Sequence, residues 1–261
     1  MITLANFIMK LKTPRLYLLI VMSLSLLYLS GCASSKTSTD KSGPKSPPAA
    51  LSTQENLSAP DLDSPKTIAL STEALTDLFY FFLGLGVVWG WRREYKRRQK
   101  TGEGESFWPG TTTTPVGSTL IIVAGVILIT IAETCVEKRF GVTASQSHLP
   151  AVYLFAMLGA AIVEETVFRG FAAPAQLSGL KLLGVILIGS LIFAFIHGFD
   201  VSETKGQIST LFAFIISIWL YLGRFNPLNK NRSMAPCYWG HIVRNLAVFG
   251  IKWAQGFIDF N

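Results

Sequence analysis

Long apolar runs separated by short polar segments dominate this chain. Candidate membrane spans lie near 16–31, 73–91, 117–135, 150–170, 182–199, 206–223 and 234–256. Each approaches the length of about 20 apolar residues that a helix needs to cross the hydrocarbon core of a bilayer. Because a lipid-embedded segment must satisfy its own backbone polar groups, helices are expected in these runs. The pattern predicts an all-α, polytopic transmembrane helical bundle with about six spans after an N-terminal segment.

Composition and charge agree with this prediction. The 261 residues are 50% hydrophobic and only 15% charged, with a mean hydropathy of +0.42. The net charge of +7 would fit a nucleic-acid partner, but six of the 23 basic residues fall in 92–100, directly after an apolar span. Basic runs that flank a span normally stay in the cytoplasm and fix its orientation. The expected partner is therefore the lipid bilayer, and no nucleic acid is expected.

The N-terminus predicts export. Basic residues precede a short apolar stretch that ends in small residues, which is typical of a signal segment over residues 1–31. The sequence Leu29-Ser30-Gly31-Cys32 also resembles the bacterial lipoprotein lipobox. That resemblance implies cleavage before Cys32 and attachment of a lipid to its sulfur. The alternative is an uncleaved first helix in which Cys32 follows Gly31 by chance.

The remaining chain divides by composition. Residues 32–72, rich in Ser, Thr and Pro, are expected to be a disordered exterior tether. Residues 73–114 would hold the first membrane span and a basic cytoplasmic loop, 115–256 the main membrane domain, and 257–261 a tail. With the tether outside, alternating spans bring 92–100, Arg224, Lys230 and Arg232 to the cytoplasm. We expect a multi-pass protein of the bacterial inner membrane, with its N-terminal tether on the periplasmic side.

Three charged residues interrupt the apolar stretch "AIVEETVFRGFAA": Glu164, Glu165 and Arg169. Ionisable groups inside a membrane span are costly, so by default they face the protein interior and have a function. Glu165 and Arg169 are four residues apart on one helix face, where they can neutralise each other. Glu164 points about 100° away and has no local partner, which leaves it free for chemistry. The alternative is a purely structural polar cluster.

Two later spans carry further polar groups at four-residue spacing. "FAFIH" places Phe193 and His197 on one face, and "HIVRN" places His241 and Asn245 on another. At 1.5 Å per residue, Glu164 lies about 10–15 Å, and His241 about 10–12 Å, from the cytoplasmic end of their spans. His197 comes out deeper, at roughly 20–25 Å on the same count, and needs a tilted helix to reach the other two.

These motifs resemble a known family. "EETVFRG" resembles the EExxxR motif of the CAAX prenyl endopeptidase and bacteriocin-processing membrane proteases (the CPBP or Abi family). "FAFIH" resembles its FxxxH motif and "HIVRN" its HxxxN motif, in the same order. The resemblance covers about residues 115–255, so the lipobox and the tether lie outside it. It implies an all-helical membrane bundle whose site opens toward the cytoplasm.

The resemblance also implies residue roles. Glu164 would activate the attacking water with the help of His197, while His241 and Asn245 would stabilise the oxyanion. Glu165 and Arg169 would support the site, together with Phe193. No cofactor is expected, because the HExxH pattern of zinc proteases is absent. If zinc were bound instead, its ligands would be Glu164, His197 and His241.

The function expected from these residues is an intramembrane endopeptidase that hydrolyses a peptide bond of a peptide or membrane-protein substrate. A non-catalytic scaffold or bacteriocin-immunity protein of the same fold is one alternative. A small proton or solute transporter is another, since it would use the same charges as a relay. Bacteria generally lack prenylated proteins, so a literal CAAX substrate is not expected.

Overall fold

The computed structural model describes residues 72–102, 108–143 and 148–260. The expected signal segment, Cys32 and the tether up to residue 71 lie outside the described residues. The described chain forms six α-helices, one π-helical segment and two short strands. In chain order these are α1 (Thr72–Thr101), α2 (Val116–Arg139), β1 (Leu149–Pro150), α3 (Tyr153–Glu165), the π segment (Thr166–Phe171), α4 (Gly179–Ile196), α5 (Thr204–Phe225), α6 (Ala235–Ala254) and β2 (Ile258–Asp259).

The all-α membrane bundle is confirmed. Among the described residues, four helices are long and apolar enough to cross a membrane, namely α1, α2, α4 and α5. The helix α3 has 13 residues, and α6 has 20 residues that include His241, Arg244 and Asn245. The helix α3 is too short to count as a span because the α-helix changes to a π-helix at Thr166, whereas α6 is long enough but carries polar motif residues.

The candidate span 150–170 is helical from Tyr153 to Phe171, but it is not a regular α-helix throughout. The α-helix ends at Glu165 and the chain continues as a π-helix to Phe171. A π-helix is wider than an α-helix and usually occurs as a short insertion at a functional site. The change of helix type therefore falls between Glu165 and Arg169, two residues whose spacing was interpreted as a regular α-helical turn.

The strands β1 and β2 join two distant parts of the chain. Leu149 pairs with Ile258 and Pro150 with Asp259 in a parallel arrangement. This pairing brings the start of α3 and the end of α6 to the same end of the bundle, so α3 and α6 run in opposite directions.

Close helix contacts surround the motif residues. A Cβ atom on Gly159 of α3 would lie 2.1 Å from the backbone oxygen of Tyr80 in α1, so this crossing requires glycine. Small residues at helix crossings allow such close backbone packing in membranes. A buried apolar cluster that includes Val163, Phe168 and Phe193 then fills the space between α3, the π segment and α4.

The outer surface of the bundle is strongly apolar. Phe82 is 63% exposed, Leu120 63% and Leu191 50%, and many other large apolar side chains point outward. Monomeric soluble proteins rarely expose contiguous apolar patches of this kind. The surface suits contact with lipid tails.

Candidate active site

The three charged residues of the first motif are buried at the junction of α3 and the π segment. Glu164 is 8% exposed, and Glu165 and Arg169 are fully buried. Buried charges in a low-dielectric interior require partners. The neighbouring helices α4, α5 and α6 supply most of them.

The ion pair between Glu165 and Arg169 is present. Nη1 of Arg169 donates to Oε1 of Glu165 at 3.1 Å. Nη2 of Arg169 donates to the backbone oxygen of Ser217 at 2.9 Å and to its hydroxyl oxygen at 2.5 Å. The guanidinium carbon also lies 4.6 Å from the ring centroid of Phe193 and 4.7 Å from that of Tyr221. Arg169 thus links the π segment to α4 and α5, and its orientation is fixed from several sides.

His241 approaches both glutamates. Its Nδ1 lies 2.8 Å from Oε1 of Glu165, and its Nε2 lies 3.8 Å from Oε2 of Glu164. Because an ionised carboxylate only accepts hydrogen bonds, Nδ1 of His241 is the donor toward Glu165. Oε1 of Glu165 therefore accepts from two residues, Arg169, which the sequence predicted, and His241, which it did not.

Glu164 has a different environment from its neighbour. In the described part of the chain its carboxylate makes no hydrogen bond, and its Oε2 atom is buried without a partner. Nε2 of His241 lies 3.8 Å from this oxygen, and the Glu164 side chain remains 11% exposed. Among the described residues, Oε2 of Glu165 likewise has no partner, but its Oε1 is held by two donors, whereas neither oxygen of Glu164 accepts a hydrogen bond. Such a pair is the usual starting point for assigning one carboxylate to structure and the other to chemistry.

His197 caps the end of α4 next to this cluster. Its Nδ1 lies 2.7 Å from the backbone oxygen of Phe193, which can only accept, so Nδ1 donates and Nε2 is the lone-pair nitrogen of the neutral ring. The Phe193 ring lies 4.6 Å from the His197 ring and 5.9 Å from the His241 ring, measured between centroids. Phe193 therefore contacts the rings of both histidines. The depth of His197 and the helix tilt that it would require stay predictions.

Asn245 lies one helical turn beyond His241 and contacts α3. Its Nδ2 donates to the backbone oxygen of Met157 at 2.7 Å. One of its two amide hydrogens is thus engaged in joining α6 to α3. The second hydrogen is left for another acceptor, and its proposed role at an oxyanion stays a prediction.

The described residues contain no group of three or more His, Cys, Asp and Glu side chains placed to hold a metal ion. The set Glu164, His197 and His241, considered above as zinc ligands, is accordingly not assembled as a ligand set in this arrangement. A metal-free site stays a prediction.

The comparison with known families bears directly on these residues. Residues 146–247 match the family model described as "Type II CAAX prenyl endopeptidase Rce1-like". Over these residues the chain is similar to the Rce1-like family, which supports a CAAX-protease-like membrane protein. The match contains all three motifs and the helices α3 to α6 that position them, with α6 included up to Ala247. No curated protein and no solved structure matches the chain.

Within residues 146–247, the burial of Arg224 was not predicted from the sequence. Arg224, which we expected in a basic cytoplasmic loop, is 1% exposed in the last turn of α5. Its Nη1 donates to the backbone oxygens of Arg169, of Gly170 at 3.0 Å and of Ala173 at 2.8 Å. These carbonyls lie at the end of the π segment and just after it, so Arg224 satisfies acceptors that the end of the helix leaves open.

Two tyrosines complete the support of the π segment. The Tyr221 hydroxyl donates to the backbone oxygen of Phe168 at 3.0 Å. The Tyr238 hydroxyl lies 2.9 Å from the hydroxyl of Thr166, which in turn donates to the backbone oxygen of Ile162 at 2.8 Å. Side chains from α5 and α6 therefore hold the π segment from both sides. The sequence contains no pattern that indicates a π-helix, so these contacts of the two tyrosines were not predicted.

Proposed function

We propose that this CAAX-protease-like membrane protein is an endopeptidase that hydrolyses a peptide bond of a membrane-associated substrate. The observation that carries the proposal is the contrast between the two glutamates. Glu165 is held by Arg169 and His241, whereas the Glu164 carboxylate is buried and makes no hydrogen bond within the described residues. A carboxylate free to accept a proton from water is suited to general-base catalysis.

The neighbouring histidines fit the remaining roles. In the neutral His197 ring the lone pair is on Nε2, since Nδ1 donates to Phe193, so His197 can orient or accept a proton from the attacking water. His241 donates through Nδ1 to Glu165, so stabilising an oxyanion through Nε2 requires a proton on that nitrogen as well. That nitrogen lies 3.8 Å from Oε2 of Glu164. Asn245 would contribute its second amide hydrogen.

The chemistry can be written with named groups. Glu164 accepts a proton from water while the water oxygen attacks the peptide carbonyl carbon. The carbonyl oxygen becomes an oxyanion that accepts hydrogen bonds from His241 and Asn245. The protonated Glu164 then gives its proton to the leaving amine, and the peptide bond breaks. Atoms balance, because water supplies the hydroxyl of the new acid and the hydrogen of the new amine.

Placement in a bacterial inner membrane, with the basic end of α1 in the cytoplasm, is part of the proposal. The basic residues of 92–100 at the end of α1 support this orientation. The pairing of β1 with β2 agrees with alternating spans in either orientation. The substrate is expected to be recognised at the membrane and not through a prenyl group. The expected substrate is a peptide or a membrane protein.

A comparison of membrane proteomes tests this function and finds the substrate. Cells carrying Glu164→Gln are compared with wild-type cells and with cells carrying Glu137→Gln, which alters another buried glutamate, in α2 and outside the motifs. We expect one or a few proteins to stay uncut only with Glu164→Gln, at normal levels of the variant. Identical proteomes in all three strains would contradict peptide hydrolysis and favour a non-catalytic scaffold or immunity protein.

A further inference from the structure

A cleft lies at the polar end of α1, outside the motif residues. It has a volume of about 440 Å³, and its walls are Gly86, Trp89, Gly90, Arg93, Glu94 and Arg97 of α1 together with Trp108. The apolar part of α1 ends here and the basic part begins. The cleft therefore combines aromatic walls with guanidinium groups at the position where a span meets the headgroup region.

Two glycines create the cleft. A Cβ atom on Gly90 would lie 2.6 Å from the indole of Trp108, so the absence of a side chain lets Trp108 approach the helix. Nothing lies within 4 Å of the corresponding position on Gly86, one turn earlier, which is open space. Trp108 also packs against the buried cluster around Phe168, so this wall of the cleft is anchored in the core.

The charges in the cleft are not equivalent. Arg97 and Glu94 form a two-point ion pair with distances of 2.9 and 2.6 Å, which neutralises both. Within the described part of the chain Arg93 makes no ion pair, and its guanidinium carbon lies 5.4 Å from the ring centroid of the exposed Trp89. Among the described residues, the Arg93 guanidinium thus has no anionic partner, and it lies beside the indole ring of Trp89.

We propose that this cleft binds the headgroup of an anionic phospholipid, with Arg93 on the phosphate and the two tryptophans against the glycerol and upper acyl chains. Guanidinium groups bind phosphate with charge-assisted hydrogen bonds, and tryptophan is enriched at the headgroup level. The six basic residues of 92–100 favour a lipid with net negative charge over a zwitterionic one. The proposal does not depend on the proposed peptidase activity.

Lipid retention by the purified full-length chain tests the proposal. The protein is transferred to detergent micelles containing either phosphatidylglycerol or phosphatidylcholine, and bound lipid is counted by native mass spectrometry. We expect one retained phosphatidylglycerol per chain. Arg93→Ala should weaken its binding about tenfold, as expected for the loss of a charge-assisted hydrogen bond. The matched control is Lys96→Ala, which removes the same charge from an exposed site of α1 outside the cleft.

A second variant blocks the cleft without changing charge. Gly86→Leu fills the open space, and its control Gly184→Leu adds the same side chain at an open position of α4. We expect only Gly86→Leu to abolish retention. Equal losses for Arg93→Ala and Lys96→Ala would overturn the proposal in favour of unspecific surface attraction. Equal retention of the two lipids, or competition by inorganic phosphate at matched concentration, would overturn the assignment to an anionic phospholipid.

Discussion

Replacing Arg169 by methionine should destabilise the bundle strongly, because it leaves the Glu165 carboxylate buried with one donor fewer. The substitution removes the 3.1 Å ion pair to Glu165 and two hydrogen bonds to Ser217. Breaking a buried ion pair by deleting one partner costs about 3–5 kcal/mol. Since His241 still donates to Glu165, we expect a loss near the lower value, about 3 kcal/mol, in the free energy of unfolding.

A double-mutant cycle separates this pair from general packing effects. Unfolding of the purified protein in mixed micelles is measured for Arg169→Met, Glu165→Gln and the double variant. In the double variant both charges are removed, so no buried charge lacks a counter-charge. We therefore expect its free energy of unfolding to lie closer to the wild-type value than that of Arg169→Met, by at least half of the loss. The control Arg139→Met, at the exposed end of α2, should change stability by less than about 0.5 kcal/mol. Strictly additive single effects would refute the account of Arg169 as the counter-charge of Glu165.

Three further substitutions test separate parts of the account. His241→Gln keeps a hydrogen-bond donor and should retain more activity than His241→Ala. The wild-type protein should keep cleaving after prolonged chelation. Stoichiometric zinc, inactivation by chelators and rescue by added metal would instead make His241 a metal ligand. Arg224→Gln should lower the unfolding free energy by about 2 kcal/mol or more, since buried carbonyls of the π segment lose their donor; thermal unfolding unchanged from wild type would contradict this role. Metabolic labelling with a fatty acid should tag the protein and Cys32→Ser should remove the tag, whereas an intact mass that still includes Met1 would exclude lipobox processing.

Local sequence rules were sufficient for the part of the site that lies within one helical turn. The four-residue spacing of Glu165 and Arg169 predicted their ion pair, and the difference in direction of Glu164 predicted that it would be the less engaged carboxylate. The apolar runs likewise predicted the helices, because a lipid environment leaves few alternatives for the backbone. These features depend on neighbours in sequence and on the solvent, both of which the sequence shows directly.

Side-chain contacts between different helices could not be predicted from local sequence spacing. Ser217 and Arg224 sit 48 and 55 residues after Arg169, and nothing in their local sequence indicates that they face the π segment. Arg224 has the position of an ordinary basic residue at the end of a span, yet it is buried. The partner of Nδ1 in His241 is Glu165 rather than Glu164, which depends on the rotation of α6 about its axis. Such pairings follow from the packing of whole helices.

The most direct test of the central claim is the rate at which the purified protein, in liposomes, cleaves a substrate found in the proteome comparison. Wild type, Glu164→Gln and Glu137→Gln are measured side by side, with folding checked by thermal unfolding. We predict that Glu164→Gln lowers the rate by a factor of about 10²–10⁴ at near-normal stability, as expected for loss of a general base, and that Glu137→Gln retains cleavage. Full activity of a well-folded Glu164→Gln protein would contradict the assignment of Glu164 as the base.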